Sequence, residues 1–164
     1  MRIGIDSDHK TYLEAADSAV QAGVTWVALH ARTAEQMYEG KADWNAIAKL
    51  KEHLRPTGIP VLGNGDIWSG QDGVRMVNET RCDGIVVGRG CLGRPWLFKD
   101  LVNAFKSNGE NSERYLPSLF EVREVMWRHG ELIVEYFESE DRGCKDLRKH
   151  MAWYLKGFRV RQEL

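Results

Sequence analysis

Short apolar runs alternate with stretches of helical periodicity from Met1 to about Phe105, a pattern that predicts an α/β fold. Arg2-Ile3-Gly4-Ile5 reads as a strand stub. Tyr12 to Ala22 reads as a helix with Leu13, Ala16 and Val20 on one face, stopped by Gly23. Thr25 to His30 is the next strand, and Asp43-Trp44-Asn45 leads into a helix through Ile47, Leu50 and Leu54. Arg55-Pro56-Thr57-Gly58 turns the chain into a third run, Ile59 to Leu62. Val74 and Val77 mark a helix from about Gln71 to Glu79, and Asp83-Gly84 precedes a fourth run, Ile85 to Val87. Strand, helix and strand at this spacing predict right-handed βαβ units in a parallel sheet.

The pattern changes after Phe105. Ser107-Asn108-Gly109 reads as a linker and Pro117 as a helix start. Residues 118–140 predict an amphipathic helix with Leu119, Val122, Val125, Met126, Leu132, Ile133 and Tyr136 as its buried stripe. A second helix from Lys145 to about Phe158 would bury Leu147, Met151, Tyr154, Leu155 and Phe158. Two domains are therefore expected, an α/β unit over residues 1–106 and a small all-α unit over 107–164.

Composition narrows the function classes. A chain of 164 residues with net charge −1 has no overall nucleic-acid signature. No apolar run approaches the roughly 18–20 residues that span a bilayer, and no signal segment opens the chain, so no membrane partner is expected. Cys82, Cys91 and Cys144 lack the pairing of a zinc or redox motif, which predicts reduced thiols, a cytoplasmic location and no metal. Charge placement is more informative than its sum. Acidic residues outnumber basic ones about three to one between Glu110 and Asp141, and then Arg142, Lys145, Arg148, Lys149, Lys156, Arg159 and Arg161 dominate. Such a helical face is either solvated surface or a track for a phosphate backbone.

Candidate chemistry gathers at predicted strand ends. Val61-Leu62-Gly63-Asn64-Gly65-Asp66-Ile67 and Ile85-Val86-Val87-Gly88-Arg89-Gly90 are both apolar runs that end in glycine beside a polar residue. Glycines let backbone N–H groups approach an anion closely, and successive parallel strands put both endings on one side. Together they predict a phosphate site shared by two neighbouring strand ends. Asn64 suits a ring edge or sugar hydroxyl. Asp66 could accept from ribityl hydroxyls or cap the following helix. The Arg89 guanidinium could grip a phosphate in a bidentate way. His30-Ala31-Arg32-Thr33 follows a strand directly, so His30 and Arg32 would share an anion or an electron-rich ring; the alternative is a histidine capping the strand end.

These motifs, with Lys41-Ala42-Asp43-Trp44 and Gly93-Arg94-Pro95-Trp96, together resemble the tRNA-dihydrouridine synthases, most nearly their bacterial B-type branch. The tail Arg148-Lys149-His150-Met151-Ala152-Trp153-Tyr154-Leu155-Lys156-Gly157 is similar to that family's C-terminal helical domain. The resemblance implies an FMN-dependent TIM-barrel enzyme with a helical tRNA-binding domain. It would reduce the C5=C6 bond of a flipped uridine in tRNA, with NADPH as reductant and a cysteine as the acid. Carried over by motif, His30, Asn64, Gly65, Asp66, Gly88 and Arg89 would bind FMN. Arg32 would lie near the uridine, and Lys145, Arg148 and Lys149 would meet the tRNA backbone.

The chain departs from that pattern in several respects. A TIM barrel needs eight strands over about 250 residues, and about four βα units are visible. The reading is therefore the C-terminal half of a (β/α)8 barrel, residues 1–106, followed by a truncated helical tRNA-binding domain, residues 107–164. The Gly-Cys-Pro loop that carries the catalytic acid is not in the sequence, so no catalytic residue is assigned and the chain alone is expected to be inactive. Another copy or an N-terminal half would complete the barrel. Two other readings stand beside it: a non-catalytic RNA-binding remnant, and a different FMN- or phosphate-binding barrel enzyme.

Overall fold

The computed structural model describes residues 1–110 and 113–158; Arg159 and Arg161 of the basic tail lie outside them. The described residues form six α-helices and a three-stranded parallel sheet in the order β1-β2-β3. Strand β1 (Val27–His30) follows helix α1 (Tyr12–Gln21), and α2 (Trp44–Leu54) returns the chain to β2 (Val61–Asn64). Helix α3 (Gly70–Thr80) leads to β3 (Gly84–Val86), and α4 (Leu97–Lys106) follows a short 3-10 turn. Side-chain caps mark two helix starts: Asp43 accepts from the Asn45 amide, and Ser69 from the Asp72 amide. Leu29, Ile47, Leu50, Leu54, Val61, Met76 and Leu97 fill one core under the sheet.

Two expectations need correction here. The Arg2–Ile5 stub is not a strand; a single parallel bridge joins Arg2 to His30. The chain turns away at once, because the Ile5 amide donates to the His9 carbonyl and Asp6 accepts from the Asp8 and His9 amides. The third run begins at Val61 rather than Ile59 and continues through Gly63 and Asn64. A Cβ on Gly63 would lie 2.6 Å from Met76 Sδ, so glycine lets α3 seat closely on the strand there.

The helical part is a hairpin of α5 (Leu119–Phe137) and α6 (Glu140–Tyr154). Ser118 and Glu121 form a reciprocal capping box that starts α5. Glu138 at φ 49° ends it, and the Ser139 side chain caps α6, so the break comes earlier than expected. The predicted stripe of α5 is only partly covered. Val122 is buried, Val125, Met126 and Ile133 are half-buried, and Leu119, Leu132 and Tyr136 are exposed, Tyr136 at 82%. Periodicity identifies the apolar face, but a two-helix hairpin covers just one strip of it. The end of α6 sits on the loop after β3, where a Cβ on Gly93 would be 2.3 Å from the Trp153 carbonyl carbon.

Candidate functional site

The parallel register places His30, Asn64 and Val86 side by side across the C-terminal ends of the strands. The Ala31 amide donates to the Asn64 carbonyl at 3.0 Å, and Asn64 Nδ2 donates to the Val86 carbonyl at 2.6 Å. The three strand ends are thereby locked at one level. Just beyond β2 the chain turns through Gly65 at φ 130° and Asp66 at φ 55°. Glycine is required at 65, since its φ is left-handed and a Cβ would lie 2.7 Å from Ala42 Cβ. Trp44 Nε1 donates to the Gly65 carbonyl at 3.0 Å and fixes the turn from α2.

Arg32 braces this turn from below. Its Nη2 reaches both Asp66 oxygens, at 2.8 and 2.9 Å, and the Gly40 carbonyl at 2.7 Å. Its Nε donates to the Glu39 carbonyl at 3.0 Å. Arg32 is 1% exposed, and its guanidinium ties the loop after β1 to the turn after β2. Asp66 also accepts from the Ala42 amide at 2.7 Å and does not cap α3, whose cap is Ser69. Burial pushes the Asp66 carboxyl upward, but the Ala42 amide, Arg32 and Arg89 outweigh it and hold the group below the usual carboxylate range.

The loop after β3 meets the same place. A Cβ on Gly90 would lie 2.0 Å from the Ile67 carbonyl oxygen, so the two glycine endings touch backbone to backbone. The amides of Gly88, Arg89 and Gly90 have no acceptor among the described residues. His30, Arg32, Asn64, Asp66, Gly88 and Arg89 line one cavity of about 180 Å³ between the loops. Tyr38 and Trp68 stand at its mouth. One buried donor, Arg32 Nη1, has no partner and belongs to the residue lining that cavity. The His30 ring makes no hydrogen bond among the described residues, contrary to the strand-capping alternative. Burial, then Arg2, Arg32 and Arg89, push its pKa below the ordinary histidine value. His30 is therefore neutral at neutral pH and free to accept or donate one hydrogen bond.

Arg89 stays at the cavity, and the expected α6 residues lie away from it. The Arg89 guanidinium rests over Tyr38 and Trp68, with Nη2 3.5 Å from Asp66 Oδ1. On α6, Lys145 pairs with Asp141 and Lys149 with Asp146, each at 2.6 Å, whereas Arg148 is exposed and forms no ion pair among the described residues. A second basic region joins residues that the sequence shows only apart. Arg94, Arg114 and Lys156 line a groove with Trp68, Trp96 and Trp153 between the glycine loop and α6. Its cations come from three distant segments, so no local charge run announces it. Tyr38 and Trp68 were also missed, though tryptophan and tyrosine in otherwise polar loops are a legible signal. Cys82 is buried, Cys91 Sγ donates to the Gly88 carbonyl, and Cys144 is on α6; none lines the cavity. Among the described residues no cluster could hold a metal ion and no helix is long and apolar enough to cross a membrane.

Parallel βα units with a donor-lined cavity at the strand C-termini define an α/β protein with a candidate ligand site at neighbouring loops. The family model for dihydrouridine synthases matches residues 1–164, and the chain belongs to that family. It is 53% identical over 163 residues to a probable tRNA-dihydrouridine synthase of Mycobacterium leprae, covering 99% of this chain and 41% of that protein. It is 37% identical over 157 residues to tRNA-dihydrouridine synthase B of Pasteurella multocida, covering 96% of this chain and 45% of the relative. The B-type protein of Xanthomonas axonopodis pv. citri is 36% identical over 156 residues. The chain spans less than half the length of these relatives.

Proposed function

We propose that this chain forms the cofactor-phosphate side and the RNA-docking helices of an FMN-dependent tRNA-dihydrouridine synthase. The observation that carries this reading is the meeting of both glycine endings with His30 around one donor-lined cavity. The residues fit an oxygen-rich anion: three backbone amides without acceptors, the unpartnered buried Nη1 of Arg32, and open space beside Gly88. Gly88, Arg89 and Gly90 would hold the phosphate of FMN; Asn64, Gly65 and Asp66 would lie against the rest of the cofactor. FMN, when bound, supplies the hydride that saturates the C5=C6 bond of uridine, with NADPH as the reductant.

This chain's residues bind and orient. Asn64 keeps its side-chain oxygen for a donor on a ring edge, because its amide nitrogen is committed to Val86. Asp66 stays ionised and holds its turn through Arg32 and the Ala42 amide. Neutral His30 offers a hydrogen bond without a charge beside the cofactor or the uridine. Lys145, Arg148 and Lys149 meet the tRNA backbone, the two lysines by exchanging their carboxylate partners for phosphates. The edge of β3 pairs with no strand among the described residues, and further βα units would complete a barrel there.

No thiol lines the cavity, so a cysteine acid of the kind the family resemblance implies would come from outside this chain. The purified chain is expected to retain flavin and bind unmodified tRNA, yet form no dihydrouridine when NADPH is added. Flavin absorbance, tRNA gel shift and dihydrouridine content of one preparation check this. Colourless protein that binds tRNA would point to an RNA-binding remnant. Flavin without tRNA affinity would remove the RNA-docking role of the helices, and NADPH-dependent reduction would overturn the assignment of the acid.

A further inference from the structure

Three side chains at the cavity mouth form a stack that phosphate binding alone does not require. The Arg89 guanidinium carbon lies 4.8 Å from the Tyr38 ring centroid and 5.4 Å from that of Trp68. Both rings are exposed, at 54% and 45%, and they come from the loops after β1 and β2. Asp66 holds Arg89 only loosely, at 3.5 Å, because Arg32 makes its close bonds. A guanidinium is flat and stacks on aromatic faces, so the place it takes beside these rings suits a planar heterocycle equally well.

We propose that Arg89 is a positioning residue shared between two alternatives. In this structure it lies against Tyr38 and Trp68. An anion at the Gly88–Gly90 amides draws the guanidinium to itself and releases both rings to stack on a planar pyrimidine base. The inference rests on the phosphate site proposed above and adds a coupling to it: phosphate at the amides favours a base at the rings. Linkage makes the coupling reciprocal, so phosphate tightens base binding and the base tightens phosphate binding.

Titrating inorganic phosphate into isotope-labelled protein and observing it by NMR tests this. The Trp68 indole signal, identified by its loss in Trp68→Phe, should move along the same saturation curve as the Gly88 and Gly90 amides. In Arg89→Ala the amides should still respond and the indole should not. Uridine, which carries no phosphate, should bind the wild type about fivefold more tightly or better at saturating phosphate. Arg89→Ala should bind uridine tightly with or without phosphate. Amides that move while the indole stays fixed would overturn the shared role of Arg89 and leave the phosphate site standing, as would a uridine affinity indifferent to phosphate. Amides that do not respond would remove the site and this inference together.

Discussion

Arg32→Met is expected to destabilise the chain by about 3 kcal/mol, the lower end of the cost of breaking a buried ion pair. The methionine keeps most of the aliphatic packing but removes both bonds to Asp66 and those to the Glu39 and Gly40 carbonyls. Asp66 would keep the Ala42 amide and Arg89, which is why the loss falls at the lower end. Arg32→Lys should lose roughly half as much, since one ammonium cannot span a carboxylate and two carbonyls as the fork does. The pH dependence has a definite sign. The pKa of Asp66 is depressed in the fold, so its contribution is present above the ordinary carboxylate value and is lost as pH falls through the depressed one. Denaturant midpoints of wild type, Arg32→Met, Asp66→Asn and the double variant, at neutral and acid pH, measure this. The cycle should show strong coupling at neutral pH that fades in acid.

Gly90→Ala is expected to destabilise by about 3 kcal/mol, at the upper end of overpacking effects, and to abolish cofactor binding. The added methyl would lie 2.0 Å from the Ile67 carbonyl oxygen and 3.3 Å from Leu97 Cδ2. A backbone oxygen cannot rotate away as a side chain can, so the two glycine endings must separate. That separation opens the cavity they share and spreads the Gly88–Gly90 amides away from Asn64 and His30. Urea denaturation combined with flavin titration checks it. Unchanged stability together with unchanged flavin affinity would show that the two loops do not need to touch.

Much of this architecture was legible because its signals are local. Val27 to His30 and Val61 to Asn64 end at polar residues, and Gly84 to Val86 ends two residues before Gly88. The register then aligns His30 with Asn64 without further information. What was not legible depends on distant partners. Arg32 reads as a ligand-facing cation at a strand end, and its tie to Asp66, on another segment, has no local signal. Arg89 reads as a phosphate grip, but its rotamer is set by Tyr38 and Trp68 from two other loops. On α6, Lys145 and Lys149 read as a basic face, although Asp141 and Asp146 are within a turn in the same sequence. Here the information was present, and counting cations without their i±3 and i±4 neighbours hid it. The stub at Arg2 failed for a different reason: an apolar pair beside glycine forms a strand only when the following residues stay extended, and Asp6 and His9 fold them into a turn.

The central claim is that the two glycine endings hold the phosphate of a flavin nucleotide. The most direct measurement compares FMN with riboflavin, which lacks only the phosphate, by flavin fluorescence titration of the chain. FMN should bind tightly and riboflavin at least about tenfold more weakly, the loss of charge-assisted hydrogen bonds to the Gly88–Gly90 amides. Equal affinity for the two flavins, or no affinity for FMN, would contradict the account.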